Sequence, residues 1–322
     1  MTTATHSAAA SDDTVLRDGA GLVEPPPSDL LELAGPDRLR FLNGLVTCEV
    51  KGLAEGAGRY GFFTDLKGRV LADVVILALA DRLLLEVPVG SGPALAAHLR
   101  KYVIADRVEV AEHPDTVPVT LAGPLAGKIL GGELPAEPWS HGRREIAGAS
   151  VALMREGRLG VEGVTCWTSA AAAPAVRSVL EALPGVGRAS ATALDVARIR
   201  GGIGRFGQDF GPEHFPQETG AEAMAVSYTK GCYLGQEIVA RIHYRGGVQR
   251  GLRGLRFAGD APPLGTAVLA EGRESGTVTS LATTLDLGAI GLAVLHQRVG
   301  AAGSSVELAG GGAAVVADLP FV

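Results

Sequence analysis

From Arg250 to the C-terminus the chain repeats one device, a short apolar run followed by a glycine-rich turn. The runs are Leu255–Phe257, Ala267–Ala270, Gly276–Ser280, Ala289–Leu295 and Ser305–Leu308, with Pro262-Pro263 and Gly310–Gly312 marking loops. Runs this short are below ordinary helix length, and frequent turns bring successive runs side by side, so the spacing suits a small β-barrel.

The preceding part mixes two periods. Asp29 to Ala34 alternate apolar and polar residues like a strand, and Gly35-Pro36-Asp37 supplies a turn and a helix N-cap before Leu39, Leu42, Leu45 and Val46 recur at helical spacing. Tyr60 to Val89 reads as strands with turns at Leu66-Lys67-Gly68 and Ala80-Asp81-Arg82, a β-meander. Ser91 caps a helix carrying Leu95, Leu99 and Tyr102, and Arg107 to Val110 returns to strand character, giving β-α-β-β-α-β. A strand at Val117–Leu121, a short helix from Pro124, a hairpin near Gly157 and helices at Ala175–Leu183 and Ala193–Arg200 predict a second, similar unit. The reading is α+β: a disordered tail over 1–14, two α+β units within 15–247, and a C-terminal barrel over 248–322.

Composition limits the function classes. With 47% hydrophobic and 20% charged residues in 322, the chain can bury sizeable cores. A net charge of −6 disfavours direct nucleic-acid binding, which needs a basic field. Cys48, Cys166 and Cys232 are too few and too scattered for a disulfide framework or a metal knuckle, so no metal site is expected and a reducing compartment fits. The first residues lack the basic and apolar regions of an export signal, and no uncharged apolar run reaches the roughly 20 residues of a membrane helix. The expected location is therefore cytoplasmic, away from the membrane.

The densest polar cluster is Lys230 to Gly247, reading KGCYLGQEIVARIHYRGG. Gly231 and Gly235 allow close backbone approach, and a cation two residues from Cys232 could favour its reactive thiolate. Two readings of Cys232 stay open on these residues, a reactive thiol and a buried packing residue. A Cys232–His243 hydrolase pair is disfavoured, because no hydrolase signature surrounds the cysteine. The glycines at 201–204 and 310–312 form neither a dinucleotide fingerprint nor a phosphate loop.

The run Lys230-Gly231-Cys232-Tyr233-Leu234-Gly235-Gln236-Glu237 resembles the K-G-C-Y-x-G-Q-E signature of the YgfZ family, and Val239-Ala240-Arg241 with Tyr244-Arg245-Gly246 continues the match. Gly35-Pro36-Asp37 with Phe41-Leu42, Lys67-Gly68-Arg69, and Arg205-Phe206-Gly207 with Asp209 and Pro216-Gln217-Glu218 fall in the family's order. The resemblance implies a cloverleaf fold shared with the glycine-cleavage T-protein, a central channel for tetrahydrofolate or a derivative, and service to iron–sulfur enzymes, including tRNA-modifying ones. It implies Cys232 as the reactive residue and Asp73, Lys230, Gly231, Tyr233, Gln236, Glu237 and Arg241 as folate-binding. Iron–sulfur client proteins or assembly factors are the implied partners, and a T-protein-like aminomethyltransferase is the alternative.

Three positions depart from the pattern or match it loosely. Arg198-Ile199-Arg200-Gly201-Gly202 stands where relatives read R-I-E-A-G, exchanging an acid for a base. Gly68-Arg69-Val70-Leu71-Ala72-Asp73 matches the T-protein's G-G-I-L-D-D with one carboxylate surviving. Glu162 loosely resembles a pteridine-binding glutamate, although a hairpin turn is the better reading of its segment.

Overall fold

The computed structural model describes residues 14–112, 115–131 and 134–321, and its framework is three sheets. The first has five antiparallel strands in the order Gly58–Thr64, Val70–Ala78, Arg82–Pro88, Ser28–Ala34, Glu109–Glu112. The sequence of its second strand, VLADVVILA, is almost wholly apolar because both faces are covered. Ala72, Val74 and Ile76 pack towards Phe41, Leu42, Leu95 and Leu99 of the helices Arg38–Asn43 and Gly92–Tyr102. The alternating residues Val75 and Leu77 face the other way, with Tyr60 and Phe62, towards the second sheet.

That second sheet has six strands, ordered Val186–Arg188, Ala20–Val23, Thr116–Ala122, Gly163–Ser169, Ala149–Arg155, His141–Ile146. It repeats the same plan. Val119, Val164 and Cys166 turn outward to Val176 and Leu180 of the helix Ala173–Glu181, while Met154 and Trp167 turn inward against the first sheet. The two sheets therefore face each other, each with helices on its outer side.

The third sheet has seven antiparallel strands, ordered Arg273–Thr277, Ala267–Ala270, Ser305–Leu308, Ala313–Ala317, Arg250–Phe257, Gly288–His296, Ser280–Thr284. It curls into a half-barrel around Leu255, Val268, Ala293, Val306 and Val316. The helix Ala191–Arg200 joins it to the rest, since Ile199 packs on Leu252, Ile290 and Leu292, while Leu194 and Ala197 pack on Leu159 and Val23.

The fold is α+β, as the sequence patterns predict, with local differences. Both meander turns lie where the sequence places them, and they separate three strands, one more than the β-α-β-β-α-β pattern counts. Ala20–Val23 and Val186–Arg188 are too short for a periodic signal, and they pair with each other in parallel. Ala313–Ala317 follows Gly310–Gly312, which as a sequence reads only as loop. Of the expected N-terminal tail, residues 1–13 lie outside the described residues, and Thr14 opens a helical turn over 14–18. No helix among the described residues is long and apolar enough to cross a membrane.

A buried ion pair fixes the joint between the helix Ala191–Arg200 and the half-barrel. Arg198 Nη1 donates to Asp209 Oδ2 at 2.8 Å and Arg198 Nη2 to Ser280 Oγ at 2.8 Å. The other Asp209 oxygen accepts from Thr279 Oγ1 and Ser280 Oγ, both at 2.6 Å. Removing Asp209 leaves Arg198 with Asp195 as its remaining counter-charge, at 2.8 Å, so the cost is that of lost charge-assisted hydrogen bonds, about 1.5–3 kcal/mol, and not that of a stranded charge. Asp209→Ala should therefore lower the urea-unfolding free energy by about 1.5–3 kcal/mol, whereas Asp260→Ala, at an exposed loop position, should change it by less than about 0.5 kcal/mol.

Candidate functional site

A cavity of about 610 Å³ lies where the three sheets meet. The five-stranded sheet contributes Tyr60, Asp73 and Glu86, the six-stranded sheet Thr120, Thr165 and Trp167, and the half-barrel Leu252 and Arg253. Strand alternation decides which carboxylate of the 68–73 segment matters. Ala72 points to the helix-covered core, and Asp73 points into the cavity. The surviving acid is thus the one whose register faces the ligand space.

The closed end of the cavity is rich in carboxylates. Tyr60 Oη donates to Asp73 Oδ2 at 2.9 Å, and burial holds the Asp73 pKa above the ordinary aspartate value. Burial likewise raises the Glu86 pKa, against the opposing pull of Arg158. Arg158 Nη2 donates to Glu86 Oε2 at 2.6 Å and Arg158 Nε to Glu156 Oε1 at 3.3 Å. Thr165 Oγ1 donates to Glu156 Oε2 at 3.3 Å and shares a 2.9 Å hydrogen bond with Thr120. Two acids thus share one guanidinium here, with Asp73 held separately by Tyr60. Among the lining residues Pro26, Pro27, Val89, Met224 and Arg253 are exposed.

Cys232 occupies a different place. Segment 225–235 is threaded between the turn 43–48 and the hairpin 64–69. Lys230 Nζ donates to Asn43 O at 2.7 Å, Val46 O at 2.6 Å and Cys48 O at 2.7 Å. Leu234 N donates to Gly44 O at 3.0 Å, and Thr64 Oγ1 donates to Leu234 O at 2.6 Å. Gly235 ends the loop at φ 82°, and a Cβ there would lie 2.4 Å from Asp65 O, so only glycine lets the hairpin approach. Between these ties, Gly231 and Cys232 are exposed. The ammonium of Lys230 is buried, pulled down to about 8 by that burial, and it neighbours Cys48 and the ring of Tyr233.

The sequence-derived site thus divides. Asp73 lines the cavity, whereas Lys230, Gly231, Cys232, Tyr233, Gln236, Glu237 and Arg241 lie outside its wall. Lys230 is built into the 43–48 turn, Tyr233 is buried, and Gln236 and Glu237 open the helix Gln236–Arg245, on which Arg241 is exposed. His243 bonds Glu222 Oε1 at 2.9 Å and stacks on Tyr228, and among the described residues no hydrogen bond joins it to Cys232. Arg200 pairs with Asp286 at 2.6 Å, binding helix to half-barrel. Glu162 is exposed on the 156–163 connection. The sequence reading missed Glu86, Glu156 and Arg158. The signal for Glu86 was present as a lone acid in the apolar strand RLLLEVP, since a buried charge in such a run needs a partner or a ligand.

A match to the GCVT N-terminal domain covers residues 2–230. The human mitochondrial iron–sulfur cluster assembly factor IBA57 is 30% identical over 292 residues, covering 84% of this chain and 75% of that protein. The tRNA-modifying protein YgfZ of Sodalis glossinidius is 27% identical, covering 73% and 70%. An aminomethyltransferase of Saccharopolyspora erythraea is 28% identical, covering 97% and 89%. Among solved structures, the glycine cleavage system aminomethyltransferase T from Bartonella henselae superposes with a TM-score of 0.87 at 22% identity, covering 98% of this chain and 89% of that one.

Two outcomes follow from the site's chemistry. Burial pushes the Cys48 thiol up to about 12 and the Cys166 thiol up to about 12, so at neutral pH both are shielded and protonated. Iodoacetamide should therefore label Cys232 alone in the native protein, with Cys48 and Cys166 following only after denaturation, as peptide mass spectrometry would show. The second outcome concerns Asp73. Its raised native pKa means that the native state keeps this proton to higher pH than the unfolded chain does. The associated stability is complete below the unfolded value of about 3.9 and is lost as pH rises through the native value. Asp73→Asn removes that loss, so its stability relative to wild type should increase between about pH 4 and neutrality. A difference independent of pH in urea melts would contradict the assignment.

Proposed function

The chain belongs to the GCVT N-terminal domain family, and we propose that within it the protein is a cytoplasmic folate-binding accessory factor for iron–sulfur enzymes that works through Cys232. The observation carrying this reading is the separation just described, a ligand-sized cavity with buried carboxylates and, outside it, an exposed thiol on a tightly tied loop.

The cavity's donor set fits a reduced folate. Asp73 and Glu86 can accept N–H groups of a pterin ring, and Trp167 and Tyr60 present aromatic surface. A volume of about 610 Å³ falls within the usual range for small-ligand sites. Bound folate would supply a nitrogen that accepts or carries a one-carbon unit. This chain's residues would hold the ring and exclude water, with Tyr60 Oη orienting the Asp73 carboxyl through its 2.9 Å hydrogen bond. Cys232, set between glycine and the buried Tyr233, would meet a sulfur or iron species borne by a partner. A lone thiolate supplies one of the roughly four ligands a cluster needs, so any cluster would be shared with that partner.

Asp73 also supports a second reading, a folate-dependent aminomethyltransferase, because a buried carboxyl with a raised pKa is suited to proton transfer beside a folate nitrogen. One measurement tests folate binding and two separate the readings. Calorimetric titration with 5-formyltetrahydrofolate should give micromolar or tighter binding, unchanged in Cys232→Ser and weakened by about tenfold or more in Asp73→Ala. Cys232→Ser should fold yet fail to restore iron–sulfur enzyme activity in cells lacking the protein, while Cys48→Ser and Cys166→Ser should restore it. An aminomethyl-loaded lipoyl carrier with tetrahydrofolate should release little ammonia. Full complementation by Cys232→Ser together with rapid ammonia release would establish the transferase instead.

A further inference from the structure

The helix Gln236–Arg245 buries only Val239, and its outer face is uncovered. Arg241, Tyr244 and Arg245, at spacings of three and four, share that face and are all exposed. Among the described residues neither arginine has a carboxylate within ion-pair distance, although Glu237 stands one turn before Arg241. Gly68 of the hairpin 64–69 lies against Ile238 and Val239, so the hairpin tip adds exposed Leu66 and Lys67, a third cation without a partner among the described residues. Tyr244 is held in place by its neighbours. Its ring centre lies 4.9 Å from that of His243 and 5.9 Å from that of Tyr228, and those two rings stack at 3.7 Å. Glu222 Oε1 fixes the stack, accepting from Tyr228 Oη at 2.5 Å and lying 2.9 Å from His243 Nδ1. Exposed tyrosine and arginine held in a set arrangement are typical anchors of protein interfaces. The exposed Cys232 lies four residues before the start of this helix.

We propose that this face docks an acidic, sulfur-bearing segment of a partner protein and steers it to Cys232. This rests on the reading of Cys232 as the working thiol and adds the chemistry of its partner. The chain as a whole carries a charge of −6, so an acidic protein is repelled by the molecule at large and attracted where Lys67, Arg241 and Arg245 stand without partners. Such a contrast selects orientation as well as encounter. The helix is about 15 Å long, so its cations act within about two Debye lengths of the loop at its start. Glu237, the charge nearest the loop, repels an acidic residue there. The partner's carboxylates are thereby placed over Arg241 and Arg245, each of which can hold one by two parallel hydrogen bonds, and an uncharged sulfur-bearing part is left towards Cys232. Leu66 and Tyr244 supply apolar contact. A nucleic acid fits less well, since three cations on an acidic molecule make a small field for a phosphate backbone.

The test follows thiol–disulfide exchange of the full chain with short peptides whose central cysteine is activated by 5-thio-2-nitrobenzoate and flanked by glutamates, glutamines or lysines. In each exchange the Cys232 thiolate attacks the peptide sulfur, a Cys232–peptide disulfide forms, and 5-thio-2-nitrobenzoate leaves as its thiolate. Absorbance records the rate and peptide mass spectrometry the site. Wild type should react with the glutamate peptide about fivefold or more faster than with the lysine peptide at low salt, and the two rates should converge to within about twofold in about 0.5 M salt. The double variant Arg241→Glu, Arg245→Glu should invert the order, a result that loss of folding cannot produce. Glu237→Gln should widen the wild-type preference, and Arg273→Gln, exposed on the half-barrel, should leave it unchanged. Equal rates for the three peptides in wild type, or an acidic preference that survives the double variant, overturns the docking surface and leaves the Cys232 reading standing. Absence of exchange at Cys232 with every peptide overturns both. Fluorescence anisotropy with a labelled single-stranded RNA completes the test, because submicromolar binding at about 0.15 M salt that the double variant loses overturns the protein partner in favour of a nucleic acid.

Discussion

Three main-chain carbonyls, from Asn43, Val46 and Cys48, converge on the buried ammonium of Lys230. These carbonyls follow the helix Arg38–Asn43, where a helix end leaves acceptors unsatisfied. Lys230 supplies all three with a charged donor from a segment nearly 190 positions later in the chain. Thr47 adds to the same joint, donating to Ala225 O at 2.7 Å and accepting from Phe62 N at 2.9 Å. One short turn thereby holds both the edge strand Gly58–Thr64 of the first sheet and the loop that carries Cys232. The hairpin 64–69 completes the fixing of the signature loop, through Thr64 and the close approach at Gly235.

The cavity has the opposite character, because burying its carboxylates carries a desolvation cost. Burial disfavours the charged forms of Asp73 and Glu86, and the one arginine beside them, Arg158, pairs with Glu86 and Glu156. A chain selected for stability alone would fill that space with apolar side chains, as it does on the far side of the same strands with Ala72, Val74 and Ile76. Violations of local economy of this kind belong at functional sites. The two sites answer different demands, the loop for accessibility with rigidity and the cavity for charged recognition shielded from water.

Much of this was legible in the sequence, where a physical signal acts over a short range. Alternation and turn residues mark the meander and the glycine-spaced strands of the half-barrel, because side-chain direction in a strand has period two. The shortest strands, Ala20–Val23 and Val186–Arg188, carry too few residues for that period to show, and their pairing spans more than 160 positions. The site divides in the same way. Cys232 stands out by its glycines and its motif, and Asp73 by its place in a segment that otherwise lost an acid. Lys230 misleads, because closeness in sequence suggests that it acts on Cys232 while its side chain reaches into a turn beside Cys48. Nor could spacing place 230–241 outside the cavity, since that depends on where the hairpin 64–69 and Gly235 meet.

The central claim is that ligand chemistry and thiol chemistry occupy separate places on one scaffold. A crystal structure of the protein with 5-formyltetrahydrofolate tests it most directly. The account predicts the pterin between the five- and six-stranded sheets, within hydrogen-bonding distance of Asp73 or Glu86, with the Cys232 thiol free at the surface. A folate seated against residues 230–241, with the cavity between the sheets empty, would contradict it.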